Sequence, residues 1–471
     1  MFDDDDMNEE SASIEHLLKR FEALKNGNTI SLLDEEEFEL IIEYFFQHNN
    51  DTEALLACDM GIVYYPHSSS LLLLKAEIYT QTQKYGQALK TLDIIEQFDP
   101  ANLEAVLLKS EIFVSQSRYE DAIQHLNISV ALFEATEQVD ILLELSDIYD
   151  EYEEFDAVFD TLERVLQLDP KNEEALQKFS FWAEFTQRFE ESVQLHLKIT
   201  EEEPYCTLAW FNLGAAYQGL KLYEKAIDAY EYCIAIDEYF EFAYRNLADA
   251  PIRLKKYDAA LEALQKHLDI GKAEDIIFEA MGYCYEKQKK FAIARQFYRK
   301  ASQLSPEDDL IFYKIGETYS KEQAWEKAAK SYTEAFKRDT ENVLYLVALG
   351  NSLMELHLLN DAINCFIDAL RIKATSKNAW IALIKALYQK ELYDEALLQL
   401  DLAREYCGDK VEFDYLQAAV LFGKGKSKEA LTYLEEALFL NKSQLKIFTK
   451  LNPDFIKRAA VAELIARYKK K

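Results

Sequence analysis

Apolar and small residues recur at helical intervals in the segment 209–238. The first helix is marked by residues three or four positions apart: Trp210, Leu213, Gly214 and Tyr217. After a short polar break, Ala226 and Tyr230 mark the same kind of face on a second helix. Since spacings of three and four residues place side chains on one face, the segment predicts two consecutive amphipathic helices.

The same pair of helices recurs along the chain with a period of 34 residues. Pro66 and Pro100 are 34 residues apart, and Pro204 and Pro306 are three such periods apart. Small residues repeat on the first helix: Ala76, Ser110, Ser146, Ser180, Gly214, Ala248, Gly282, Gly316 and Gly350. They also repeat on the second: Ala88, Ala122, Val158, Ser192, Ala226, Ala260, Ala294, Ala328, Ala362, Ala396 and Ala430. Because small residues let two helices approach closely, both series predict tightly packed pairs.

This pattern resembles the tetratricopeptide repeat, which reads W-x2-L-G-x2-Y, then A-x3-F, then P. Residues 207–240 follow it closely, with Tyr230 in the Phe position and Glu238 in the Pro position. The resemblance covers residues 35–444 as about twelve units. It implies an all-α fold, an α-solenoid of stacked antiparallel helix pairs that form a right-handed superhelix with a concave groove. Among such proteins, the chain is similar to long acidic multi-repeat proteins of bacteria.

The remaining segments flank the predicted array. We expect residues 1–10 to form a disordered acidic tail and residues 11–34 to form an N-terminal helix and linker. Residues 445–471 depart from the repeat at Pro453 and are expected to form capping helices, since the last unit of an array needs a polar cap.

Charge is distributed unevenly along the 471 residues. Residues 1–240 contain 51 acidic and 15 basic side chains, whereas residues 241–471 contain 34 and 37. This field disfavours nucleic acid and favours a basic protein partner. Two alternatives stay open: the charge serves solubility alone, or the acidic half associates with the basic tail at 467–471 of another copy.

No motif for catalysis, metal binding or a cofactor stands out, so we expect neither an enzyme nor a bound metal or cofactor. The seven histidines are scattered, and the six cysteines form no ligand pattern. The stretch Gly423–Ser427 is similar to a phosphate-binding loop, but Val420 stands where that motif requires glycine. The acidic N-terminus and the absence of a long apolar run predict a cytoplasmic protein without membrane insertion.

The resemblance implies that ligands contact certain positions on the first helix of each unit. In the N-terminal units these positions form an acidic groove: Glu39, Glu43, Glu77, Glu111, Glu144, Asp147 and Asp150. In later units they form a mixed set: Phe211, Asn212, Arg245, Asn246, Asp249, Tyr283, Tyr313 and Lys314. Asn212 and Asn246 hold the same place in consecutive units, where an amide can bind an extended peptide backbone. Pro251 is expected to remove a helical hydrogen bond to Leu247 and to kink its helix.

We therefore predict a non-catalytic scaffold or adaptor that binds a protein or an extended peptide in the groove. The alternative is a regulatory sensor whose superhelix changes when a peptide binds. An enzyme would require a cluster of titratable side chains, at which the linear sequence does not hint.

Overall fold

The computed structural model describes residues 4–27 and 32–469, and of residues 4–13 and 469 only the backbone. Over these residues the chain is all-α, as predicted, and contains no β-strand. It divides into two compact units, unit 1 (Met1–Ala243) and unit 2 (Tyr244–Lys471). The division falls within the first turn of α14.

Unit 1 begins with helix α1 (Asp4–Lys25), followed by six helix pairs. The pairs are α2 (Glu35–Gln47) and α3 (Asp51–Tyr64), α4 (Ser69–Gln81) and α5 (Tyr85–Phe98), α6 (Leu103–Ser115) and α7 (Tyr119–Ser129), α8 (Ala135–Glu151) and α9 (Phe155–Leu168), α10 (Glu173–Phe185) and α11 (Phe189–Glu202), α12 (Thr207–Gly219) and α13 (Tyr223–Ile236). A 3-10 turn, Val130–Leu132, precedes α8, where the repeat is two residues longer.

Unit 2 contains six further pairs and a C-terminal segment. The pairs are α14 (Glu241–Arg253) and α15 (Tyr257–Ile270), α16 (Asp275–Lys287) and α17 (Phe291–Leu304), α18 (Asp309–Lys321) and α19 (Trp325–Arg338), α20 (Val343–Glu355) and α21 (Leu359–Ile372), α22 (Lys377–Gln389) and α23 (Tyr393–Cys407), α24 (Val411–Gly423) and α25 (Ser427–Asn441). The segment that follows comprises a 3-10 turn (Lys442–Leu445), α26 (Lys446–Leu451), a second 3-10 turn (Pro453–Lys457) and α27 (Ala459–Lys469).

Within each unit, helices pack against their neighbours in sequence, and several consecutive first helices of the pairs also touch, such as α2 and α4 or α10 and α12 in unit 1 and α20 and α22 in unit 2. The core is therefore a continuous layer of local contacts, which is how a solenoid buries the apolar face that a single pair would leave exposed. Its largest fully buried side chains include Phe38 and Phe159 in unit 1 and Tyr298 and Phe366 in unit 2.

Glycines on the first helices lie directly under aromatic rings of the second helices. A Cβ atom added to Gly214 would come within 2.6 Å of the Tyr230 ring, and one added to Gly350 within 2.4 Å of the Phe366 ring. Both distances are far shorter than van der Waals contact. This confirms the close helix approach that the small-residue series predicts.

The first helices commonly begin with a side-chain cap. Asp34, Ser68, Asn102, Asn172, Asp308 and Asn342 each accept a hydrogen bond from a backbone N–H in the first turn. These side chains satisfy amides that have no partner within the helix, which fixes where each first helix starts.

The turn inside each pair is built differently, with a residue in the left-handed conformation. Twelve such residues follow the repeat: Asn49, Gln83, Ser117, Glu153, Gln187, Lys221, Lys255, Lys289, Gln323, His357, Glu391 and Gly425. The next residue then donates its N–H to a carbonyl five positions earlier, as Leu392 does to Leu387 at 3.0 Å. This is a Schellman motif, and it ends each first helix at the same point of the period.

The N-terminal region differs from our expectation of a disordered tail at residues 1–10. Helix α1 begins at Asp4, so residues 4–10 are helical, while residues 1–3 lie outside the described part of the chain. Acidic residues at the start of a helix face the positive end of its dipole, which favours this conformation.

Candidate binding surface

Four carboxylates occupy equivalent positions on consecutive first helices of unit 1. We call Glu43, Glu77, Glu111 and Asp147, which lie on α2, α4, α6 and α8, the acidic row. Burial raises the pKa of Glu77, and the nearby charges of Glu104, Glu43 and Glu111 raise it further. The row predicted from the 34-residue spacing is therefore close enough in space for its members to repel one another.

The row ends beside a lysine on α10. The Lys178 ammonium lies 2.6 Å from a carboxylate oxygen of Asp147 and 2.7 Å from one of Glu174. Burial raises the pKa of Glu144, and Asp147 and Glu111 add to this, while Lys178 opposes it. Lys178 thus neutralises one end of the acidic row, whereas no cation among the described side chains pairs with Glu43, Glu77 or Glu111.

The other members of the predicted acidic groove lie on the same helices. Glu39 is half-buried on α2, and Asp150 is exposed on α8. They widen the negative surface around the acidic row.

Asn212 does not line a groove, and its predicted role in peptide binding is wrong. Its side chain is only 2% exposed. The amide nitrogen donates to the carbonyl oxygen of Leu176 at 2.7 Å and lies 3.3 Å from Nε2 of His196. Asn212 therefore connects α12 to α10 and α11 inside the core, and no amide is left to bind a peptide.

His196 completes this buried cluster. It is fully buried, and its Nδ1 lies 2.8 Å from the carbonyl oxygen of Ser192, so Nδ1 carries the proton. Nε2 then accepts from the Asn212 amide. Burial lowers the pKa of His196 from its ordinary value of 6.5 to about 4. The neutral imidazole is therefore part of the folded structure.

Phe211 also serves packing. Its ring centroid lies 5.8 Å from that of Tyr230 and 5.3 Å from that of Phe240. The half-buried ring joins α12 to the turn after α13, and only part of it is available to a ligand.

The remaining residues of the mixed set lie in unit 2, on three first helices. On α14, the Arg245 guanidinium lies 3.5 Å from a carboxylate oxygen of Glu274, and Asp249 pairs with Arg253 one turn along. Asn246 is half-buried on the same helix. Pro251 lies inside α14, which continues to Arg253 despite the missing N–H.

Tyr283, Tyr313 and Lys314 have partners within unit 2. The Lys287 ammonium lies 4.7 Å from the ring centroid of Tyr283, and Lys314 forms an ion pair with Glu279. The Tyr313 ring packs 5.5 Å from Tyr332, and burial raises its pKa to about 12. Of these three residues, Tyr313 also lines a pocket.

Two exposed aromatic residues on α10 were missed in the sequence. Phe181 is 59% exposed and Phe185 is 54% exposed, and their rings stack at 6.1 Å. Phe181 lies 34 residues after Asp147, so it continues the acidic row in the next pair. Both residues occupy first-helix positions at which the resemblance implies ligand contacts, so the sequence could have identified them.

A pocket of about 500 Å³ in unit 2 was also missed. It lies between α18, α19, α20, α22 and α26, with Lys385 and Lys450 in its wall. Lys385 holds the same position of the repeat as the acidic row. Lys450 comes from α26, outside the array, and no repeat rule predicts where it lies.

In the part of the chain that the structure describes, no group of three or more His, Cys, Asp and Glu side chains has an arrangement that could hold a metal ion. None of the described helices is both long enough and apolar enough to cross a membrane. All six cysteines are free thiols.

The geometry defines a helical-repeat protein whose pairs present one face of each first helix in series. Three segments match models of the tetratricopeptide repeat: residues 207–240, 277–308 and 347–410. The chain therefore contains tetratricopeptide repeats, and the resemblance seen in the sequence is confirmed at these segments.

A curated relative carries the same repeat. The TPR repeat-containing protein MJ1428 of Methanocaldococcus jannaschii is 28% identical over 113 residues. The match covers 24% of this chain and 20% of that protein. It therefore spans about a fifth of the relative's length and concerns the repeat alone.

Solved structures of helical-repeat proteins are similar at low identity. The Cut9-Hcn1 hetero-tetramer of the APC/C matches with a TM-score of 0.37 at 13% identity, over 87% of this chain and 96% of that chain. YrrB, described as a TPR protein with an unusual peptide-binding site, matches with a TM-score of 0.35 at 17% identity, over 39% and 95%. The C-terminal part of a TPR repeat-containing protein from Cytophaga hutchinsonii matches with a TM-score of 0.42 at 16% identity, over 54% and 99%.

Proposed function

We propose that this chain is a non-catalytic scaffold that binds a basic, extended segment of a partner protein on the acidic row. The observation that carries the proposal is the environment of Glu77, whose charged neighbours Glu43, Glu104 and Glu111 are all carboxylates. A bound lysine or arginine would stabilise the charged form of this carboxylate, because attraction to the cation offsets repulsion by the neighbouring carboxylates.

The repeat suggests the spacing of basic residues in the partner. Packed helices lie about 8–10 Å apart, so successive carboxylates of the acidic row are separated by about that distance. An extended peptide in the polyproline II conformation advances about 3.1 Å per residue with about three residues per turn, so side chains three residues apart lie on one face and span one repeat. A segment with lysine or arginine at every third position therefore matches Glu43, Glu77 and Glu111 in turn.

The aromatic pair Phe181 and Phe185 offers a contact for the partner segment beyond the acidic row. It lies in the repeat that follows Asp147, beyond the neutralising Lys178. An exposed aromatic pair of this kind marks an interaction surface more often than scattered apolar residues do. A bulky apolar side chain after the basic run would bury these two rings.

The test compares two triple variants of equal charge. Glu43→Gln/Glu77→Gln/Glu111→Gln removes the uncompensated part of the acidic row, and Asp147 is kept because it pairs with Lys178. The matched control removes three exposed acids of the second helices, Asp156→Asn/Glu190→Gln/Glu201→Gln.

The probe is a fluorescein-labelled peptide with lysine at every third position, and its Kd is measured by anisotropy at low salt. We expect the row variant to raise Kd about tenfold, since three charge pairs of this kind together contribute about 1–2 kcal/mol. The control variant should raise it much less. Equal weakening by both variants would mean that the overall field binds the peptide and that the acidic row does not.

A further inference from the structure

The pocket in unit 2 has walls of two chemical kinds. One part of the lining is apolar and aromatic: Tyr313, Trp325, Leu344, Val347, Met354 and Leu451. The rest of the lining includes Lys385 and Lys450 and the amides of Asn351 and Gln389. A volume of about 500 Å³ holds several side chains of a peptide or a small ligand.

The two lysines lie close enough to repel each other. Burial lowers the pKa of Lys385, and the charge of Lys450 lowers it further. Neither lysine has an ion-pair partner among the residues that the structure describes. This distinguishes them from Lys314 and Lys377 of the same unit, which pair with Glu279 and Glu412.

The acidic residues of the pocket do not neutralise this pair. The Glu317 carboxylate accepts a hydrogen bond from the Tyr332 hydroxyl at 2.6 Å, and it also raises the pKa of Tyr313. Glu355 lines the pocket but forms no ion pair with Lys385. The lining thus contains two carboxylates and two lysines, and these lysines form no ion pair with any described residue.

The C-terminal segment holds Lys450 in place. Phe448, half a turn earlier on α26, is fully buried against Phe422 and Phe455, with ring centroids 5.9 and 5.4 Å away. The Asn452 amide also donates to the Tyr388 hydroxyl of α22 at 3.4 Å. Because these contacts fix α26 on the last repeats, Lys450 faces the pocket as part of a built wall.

We propose that this pocket is a second binding site, which takes a carboxylate-bearing peptide segment with a bulky apolar side chain next to the acid. The carboxylate pairs with Lys385 and Lys450, and the apolar side chain packs against Tyr313, Val347 and Leu451. A charge-assisted hydrogen bond to the half-buried Lys385 is stronger than a pair in water, so the anion contributes to binding beside the apolar side chain. The site is independent of the acidic row and selects the opposite charge.

The test uses three fluorescein-labelled probes of one length. The first is an acidic peptide with a central phenylalanine flanked by aspartate and glutamate, the second replaces the acids by asparagine and glutamine, and the third replaces phenylalanine by alanine. We expect the first probe to bind most tightly and each replacement to weaken binding about tenfold, which corresponds to one lost charged or apolar contact. If the uncharged probe binds as tightly as the acidic one, the proposal is overturned.

Variants of the two lysines locate the site. Lys385→Gln/Lys450→Gln should weaken binding of the acidic probe by about tenfold or more, and Lys385→Arg should retain most of it. Lys373→Gln/Lys390→Gln is the matched control, because Lys373 is exposed, Lys390 donates to Asn360, and neither lines the pocket. The triple variant of the acidic row should bind the acidic probe no more weakly than wild type. If the acidic probe does not bind to the pocket, only this second site is disproved, because the acidic row is tested with a different probe and different variants.

A measurement on the unaltered protein guards against misfolded variants. Lysines are acylated with an amine-reactive reagent, and the extent at each site is read by mass spectrometry with and without the acidic probe. We expect the probe to slow acylation of Lys385 and Lys450 several-fold, and to leave the exposed Lys373 unchanged, since a bound carboxylate keeps an ammonium protonated. If the probe slows acylation of Lys385 and Lys450 no more than that of Lys373, the proposal is overturned.

Discussion

At the scale of single residues, burial decides the role of each polar side chain. Asn212 and Glu77 both occupy positions that the repeat assigns to ligand contacts. Asn212 points into the core and is satisfied by Leu176 and His196, whereas Glu77 is surrounded by like charges. The position of a residue in the repeat does not distinguish these two cases, because it does not show which side chains have a hydrogen-bond partner in the core.

The His196 cluster should make stability depend on pH. The pKa of His196 is about 4 in the folded chain and 6.5 without the fold. Because folding favours the neutral form, the full contribution is present above pH 6.5 and is lost as the pH falls toward 4. The loss amounts to about 3 kcal/mol at most, from the difference in pKa.

Amide hydrogen exchange of α10, α11 and α12 at a series of pH values measures this loss. His196→Gln should flatten the dependence, because glutamine does not titrate. His48→Gln, at an exposed site after α2, serves as the control and should keep the wild-type slope. An identical slope in the His196 variant would rule out the proposed linkage.

Glycine positions give a second prediction at this scale. Gly214→Ala places a methyl group within 2.6 Å of the Tyr230 ring, so we expect a loss of about 1–3 kcal/mol from overpacking. Gly86→Ala, on the exposed face of α5 with no atom within 4 Å, should instead stabilise by about 0.4–1 kcal/mol. Denaturant melts of both variants provide the measurement, and a change of the same sign in both would contradict this packing.

At the scale of elements, the helix pairs could be predicted from the sequence and their turns could not. The small-residue series and the helical spacing follow from packing, which leaves a clear pattern in residue types. The left-handed turn residues are Lys, Gln, Ser, Glu, His and Asn as well as one Gly, so residue type gives no signal there. The Schellman hydrogen bonds fix this conformation against the preference of the side chain.

The turns therefore allow a paired prediction. Glu391 has φ of 60° and is exposed, so Glu391→Gly should stabilise unit 2 by about 0.5–1 kcal/mol, because glycine adopts this region without a Cβ clash. Gly425→Ala at the equivalent turn should destabilise by about 1 kcal/mol for the same reason. Thermal melts of the two variants should shift in opposite directions, and shifts in the same direction would mean that backbone strain does not limit these turns.

The candidate sites show the same limit of sequence reasoning. The acidic row could be predicted, because its members are spaced by the repeat and are all carboxylates. The pocket in unit 2 could not, since Lys450 reaches Lys385 only through the packing of α26, 65 residues further along the chain. A contact between segments far apart in the chain produces no periodic pattern in the sequence, so the repeat cannot predict it.

At the scale of the whole molecule, charge separates the two units. Residues 1–240 carry a net charge of −36, and residues 241–471 carry +3. The two proposed sites follow this division, with carboxylates offered to a partner in unit 1 and lysines in unit 2. Together, the two proposals describe a chain that binds two partners of opposite charge.

The same asymmetry predicts an effect of salt on stability. Repulsion within unit 1 should be screened as ionic strength rises from about 0.02 to about 0.5 M, because the Debye length shortens from roughly 20 Å to a few ångströms. Amide exchange should slow in α2, α4, α6 and α8 and change much less in α18, α20 and α22. A uniform effect along the chain would show that self-repulsion does not limit the stability of unit 1.

The left-handed turns have one more consequence, for how such a chain changes in length. Twelve turns share one backbone conformation, and almost all are 34 residues apart. Deleting the sequence between two successive turns therefore removes one whole repeat and joins two segments with the same turn conformation. Duplication of a period works in the same way. Since the turns are structurally equivalent, helix pairs can be gained or lost by recombination while every remaining helix keeps its register.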